Sequence, residues 1–82
     1  MKYQKPDFKC VGFLMRGLRE ARGMSIWDLA FKSGVSESNI WRLEHGLLMG
    51  QYHINEFFAL CDALDAEPYL VLRLAGKKKG KP

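Results

Sequence analysis

Cysteine and histidine are scarce: the 82 residues hold two of each, Cys10, Cys61, His45 and His53. A disulfide scaffold or a zinc site needs more Cys or His, at ligand spacing. Both cysteines sit within apolar helical patterns and read as buried free thiols. No cluster of His, Cys or carboxylates has nucleophile or metal-ligand spacing, and no glycine-rich phosphate loop is present, so neither an enzyme nor a bound metal or cofactor is expected. Nowhere do ~20 apolar residues run together, and the opening "MKYQKPDFK" lacks a signal-peptide core. A reduced, cytoplasmic protein with no membrane segment is expected.

Strong charge is also missing. Thirteen Lys and Arg against nine Asp and Glu give +4, and four of the thirteen lie in the ending "KKKGKP". An anionic partner is favoured, but any basic surface on the body must arise from local clustering. What the chain does have is apolar content, 48% with two Trp among its aromatics, enough for one packed domain.

The periodicity predicts helices. Val11, Leu14, Met15 and Leu18 fall at i, i+3, i+4 and i+7, giving an amphipathic helix from Pro6–Asp7 to about Arg22, stopped by Gly23. Gly12 and Gly17 each cost such a helix ~1 kcal/mol; close approach of another helix would account for them. Ser25 is an N-cap with Asp28 at the capping-box position, opening a short helix that turns Leu29 and Ala30 inward and ends near Ser33–Gly34.

Ser36 caps the next helix in "GVSESNIWRLEHG". Ile40 and Leu43 share its inner face, while Ser38, Trp41, Arg42 and His45 form a second stripe. The loop "GLLMGQ" is apolar for a connection. From about His53 to Leu64 runs the most hydrophobic helix, with Ile54, Phe57, Phe58, Cys61 and Leu64 in a broad stripe. In "YLVLRL", after Pro68, alternation suits a strand slightly better than a fifth helix, although six residues do not settle it. A lone strand would pair with a second copy across a two-fold axis.

Residues 23–46, "GMSIWDLAFKSGVSESNIWRLEHG", resemble the Cro/repressor-type (XRE-like) helix-turn-helix family. Leu29–Ala30 matches the apolar pair of the first motif helix. Gly34 fits the turn, Val35, Ile40 and Leu43 fit the core positions, and "LEHG" is similar to the closing Leu-Glu-x-Gly. "LREARG" resembles the lead-in, and the likeness covers residues 11 to about 66.

The resemblance implies a mainly α, lambda-repressor-like bundle of four or five helices, with the strand as a possible addition that pairs across a dimer. It divides the chain into an N-terminal extension (1–10), a DNA-binding domain (11–75) and a basic tail (76–82). It also implies double-stranded DNA as partner, with Ser36–His45 as recognition helix in the major groove. Glu37, Ser38 and Arg42 become base readers, and Trp41 covers a thymine methyl or lies along the sugar–phosphate wall. Ser25, Ser36 and His45 suit phosphates. Arg19 pairs with Glu44, orienting the motif. Dimer contacts are assigned to Leu47, Leu48 and Met49 in the apolar loop and to Leu70 and Leu72.

Several positions depart from the family pattern. Ile26 stands where a backbone-contacting Gln is common, Ser33 replaces an apolar residue, the loop after Gly46 is about two residues longer, and Asp65 stands where Gly is frequent. Two functions follow. One is a homodimeric regulator, acting as a repressor on a near-palindromic operator. The other is an antitoxin or adaptor that holds a partner protein such as a toxin through Trp27, the apolar loop or the terminal strand, with autoregulatory DNA binding.

Overall fold

The computed structural model describes residues 8–47 and 54–76. Leu48, Met49, His53, the residues before Phe8 and the tail beyond Gly76 lie outside them. Five helices follow in order: α1 Phe8–Ala21, α2 Ile26–Ser33, α3 Glu37–Glu44, α4 Ile54–Ala63 and α5 Pro68–Gly76. Helix α1 packs on α3 and α5, α2 packs on α3 and α4, and α4 touches α5.

Each helix contributes its inward stripe to one core. Val11 and Met15 come from α1, Leu29 from α2, Ile40 and Leu43 from α3, Phe57, Leu60 and Cys61 from α4, and Val71 and Ala75 from α5. Leu14 and Leu18 pack against its edge. Burial pushes the Cys61 thiol up to about 11, while Cys10 is only partly buried.

The two α1 glycines differ in kind. A Cβ on Gly12 would collide with the Leu43 carbonyl oxygen and lie 2.8 Å from its carbon and 3.2 Å from Glu44 Cα, so α1 crosses the end of α3 backbone against backbone. Beside Gly17 there is open space.

Three helices end alike. Met24 N–H donates to Arg19 O, Leu47 N–H to Arg42 O and Ala66 N–H to Cys61 O, at 3.1, 2.8 and 2.8 Å. This six-residue closure places the next-to-last residue in the left-handed region. Gly23 and Gly46 occupy it in α1 and α3, and Asp65 occupies it after α4 with φ 56°.

Two expectations change. Residues 69–74 are helical within α5, and among the described residues there is no strand to pair across a dimer. Pro68 sits at the first helical position, where a missing N–H costs nothing. Val71 and Ala75, one turn apart, are the residues buried, and Ala75 lies beyond the alternating stretch. The α4 stripe is also narrower than its sequence: Phe57 is buried, whereas Ile54 and Phe58 are about half exposed.

Candidate nucleic-acid interface

Helices α2 and α3 are fixed at both ends by local chemistry. Ser25 Oγ accepts from Asp28 N at 2.9 Å, and Ser25 N donates back to Asp28 Oδ2 at 3.0 Å, a complete capping box. Hydrogen bonds to the carboxylate from the Ser25 backbone N–H and from its hydroxyl hold the Asp28 carboxyl below its usual range. Gly34, at φ 80°, closes α2 by donating to Ala30 O, a conformation open to glycine at no steric cost. Ser33, the replacement for an apolar residue, accepts from Val35 N at 3.1 Å and so braces the turn. Ser36 Oγ caps α3 by accepting from Asn39 N at 3.2 Å.

The orientation of α3 is set from behind. Ile40 and Leu43 are buried. Arg19 of α1 forks onto Glu44, Nε to Oε2 at 2.8 Å and Nη2 to Oε1 at 3.0 Å, while its Nη1 donates to Met24 O at 2.7 Å. That bidentate, buried pairing raises the already high Arg19 pKa and joins α1 to the end of α3.

With that face anchored, Glu37, Ser38, Trp41, Arg42 and His45 are all exposed, together with Ser25 and Ser36. The Glu37 carboxylate stands in the first turn, where the helix dipole favours it. Ser38 Oγ lies 3.5 Å from Ser36 Oγ. Arg42 Nη1 donates to Asn39 Oδ1 at 3.1 Å, a contact not anticipated from the sequence although its i, i+3 spacing was visible.

Trp41 and His45 stack with ring centroids 3.9 Å apart. His45 Nδ1 lies 2.8 Å from Trp41 O. A carbonyl only accepts, so Nδ1 carries the proton. The neutral ring therefore has only an acceptor left at Nε2, and donation to a phosphate needs the doubly protonated ring.

Ile26, which stands where a backbone-contacting Gln is common, is partly buried against the core. Its neighbour Trp27 is exposed and stacks on exposed Phe31, centroids 6.2 Å apart and planes within 1°. The pair flanks a depression of about 390 Å³ that reaches Ser36 and Glu37 at the start of α3. Phe31 was not singled out in the sequence. Of the assigned dimer contacts, Leu47 and Leu70 are about half exposed, whereas Leu72 is packed partly buried against the core.

Among the described residues no group of three His, Cys, Asp or Glu is placed to hold a metal ion, and no helix is long and apolar enough to cross a membrane.

This arrangement has known counterparts. The restriction-modification controller protein C.AhdI from Aeromonas hydrophila is 34% identical, with 79% of this chain aligned to 96% of that one at a TM-score of 0.71. The master regulator for biofilm formation SinR, solved in complex with DNA, is 26% identical over 76% of this chain and 97% of its own, TM-score 0.69. The clp gene regulator ClgR from C. glutamicum is 25% identical over 92% and 95%, TM-score 0.75. No curated protein sequence matches the chain. A helix-turn-helix domain model matches residues 11–74, and with the α2–turn–α3 geometry above, the chain belongs to the helix-turn-helix family of DNA-binding transcriptional regulators.

Proposed function

We propose that the protein is a sequence-specific repressor that binds a near-palindromic operator as a homodimer, placing two α3 helices in major grooves about 34 Å apart. The observation that carries this reading is the division of α3: Ile40, Leu43 and Glu44 are buried, while its opposite face offers a hydroxyl, an indole, a guanidinium and an imidazole. A helix with that much hydrogen-bonding variety on its solvent face suits base edges.

In this reading Arg42 forks onto guanine, Ser38 serves either kind of acceptor, Glu37 accepts from cytosine, and Trp41 covers a thymine methyl or the sugar wall. The Ser25 and Ser36 hydroxyls donate to phosphates, and His45 does so as the imidazolium. The DNA-binding unit is residues 11–75, and the basic tail 76–82 adds sequence-independent attraction. Leu47, Leu48, Met49, Leu70 and Leu72 form the dimer contact in this reading.

A second reading is favoured by the exposed Trp27–Phe31 stack. Exposed paired aromatics are costly in water and are typical anchors for a protein partner. An antitoxin or adaptor would use them to hold a second protein, a toxin included.

Selection from a randomised duplex pool, followed by fluorescence anisotropy with a salt titration, separates the two. The repressor reading expects a two-fold symmetric winner bound far more tightly than random duplex, with a protein dimer in sedimentation. Arg42→Ala should then cost ~1–3 kcal/mol at one base pair per half-site. Weak binding with no enriched sequence, lost in moderate salt, overturns it and directs attention to Trp27 and Phe31.

A further inference from the structure

We infer that Glu56, on α4 and outside the helix-turn-helix, is a positioning residue for Arg42, acting through Asn39 as an obligatory adapter. The inference rests on the reading of Arg42 as a base-contacting residue.

The geometry is a three-residue relay. Glu56 Oε1 and Oε2 each lie 3.4 Å from Asn39 Nδ2, and Asn39 Oδ1 accepts from Arg42 Nη1 at 3.1 Å. Asn39 and Glu56 are partly buried, whereas Arg42 is exposed. The polarity of each member dictates the next. A carboxylate only accepts, so the Asn39 amide turns its NH2 toward Glu56. Its carbonyl oxygen therefore faces Arg42, and a guanidinium only donates. Were the amide reversed, NH2 would face NH2 and the Arg42 contact would be lost.

One guanidinium N–H is thus used to fix the plane of the head group, and the other four remain for a ligand. An exposed arginine otherwise samples many rotamers, and ordering it on DNA costs free energy. Glu56 supplies that order before DNA arrives. Its effect falls on one side chain and hence on one base pair, not on the whole contact.

The test uses the full chain with Glu56→Ala, Glu56→Gln and Asn39→Ala, each also combined with Arg42→Ala. In the DNA-free protein, nitrogen-15 NMR follows the Asn39 side-chain amide and the Arg42 guanidinium. Glu56→Ala should shift the amide signals and speed guanidinium rotation. Glu56→Gln, whose side-chain oxygen still accepts, should stay near the parent. Unchanged Arg42 signals in Glu56→Ala overturn the relay, whatever the DNA results.

On DNA, binding is measured to the selected operator and to its single-base-pair variants. Glu56→Ala should weaken the preferred site about three- to tenfold, the scale of one ordinary hydrogen bond. It should have little effect on a site already altered at the Arg42 base pair, and none in the Arg42→Ala background. An equal loss on every sequence would make Glu56 merely a first-turn acid of α4 and overturn the proposal. Asn39→Ala removes the adapter without touching α4, so it gives the same answer should Glu56→Ala fold poorly. If Arg42→Ala itself relaxes no base pair, the base-reading role fails, and the NMR result still decides whether the relay exists.

Discussion

Arg19 and Glu44, 25 residues apart in the chain, meet in a two-bond fork that is almost fully removed from solvent, and the same guanidinium closes the turn after α1 through Met24 O. By contrast, the Arg16–Glu20 pair lies exposed on α1. The pair stands directly behind the proposed reading face, so the angle of α3 relative to α1 depends on it.

Breaking that pair leaves a buried charge alone. Glu44→Ala should therefore cost ~3–5 kcal/mol, a large part of what a small domain has. Arg19→Lys should recover little, because an ammonium cannot reproduce the fork. Urea denaturation monitored by tryptophan fluorescence checks both, and a loss below about 1 kcal/mol would place the pair with weak surface bridges.

The two α1 glycines should respond in opposite directions. Gly12→Ala pushes a methyl group into the Leu43 backbone, and overpacking against an unyielding neighbour costs ~2–3 kcal/mol. Gly17→Ala meets nothing and should gain ~0.5–1 kcal/mol from helix propensity alone. Thermal melts of the two variants side by side test the crossing point, and equal shifts would contradict it.

Asp65 holds a left-handed conformation that Gly23 and Gly46 hold at the equivalent ends of α1 and α3. Asp65→Gly should raise stability by ~0.5–1 kcal/mol, the relief of left-handed strain less the glycine entropy. Asp65→Val should lower it. Chemical denaturation at constant m-value reads both.

The capping box gives a pH dependence of known sign. The Asp28 carboxyl is depressed in the folded protein by bonds from Ser25 N–H and hydroxyl. Its contribution is therefore complete above the unfolded carboxylate pKa and is lost as pH falls through the lower folded value. The melting temperatures of the parent and Asp28→Ala should differ at neutral pH and converge in strong acid. A gap that persists in acid would show that the box is not what Asp28 contributes.

Much of this was legible because the signals were local. Ser25, Asp28, Gly34 and Ser36 set the boundaries of α2 and α3 by bonds to their own neighbours, and the inward positions Leu29, Ile40 and Leu43 follow from the helical period. Asp65 could be marked as unusual from sequence, and the fold supplies its reason in the sign of φ. The run "YLVLRL" was misleading, since alternating and helical patterns overlap over six residues, and the deciding residues, Pro68 and Ala75, flank it.

The sequence by itself determined the starts and stops of α1 to α3, their core stripes and the family, because capping and periodicity act within a few residues. Only the tertiary structure decided which faces α4 and α5 bury, why Gly12 differs from Gly17, and that Glu56 reaches Asn39. Those depend on distances between elements far apart in the chain, where a few ångströms of packing separate a contact from open solvent.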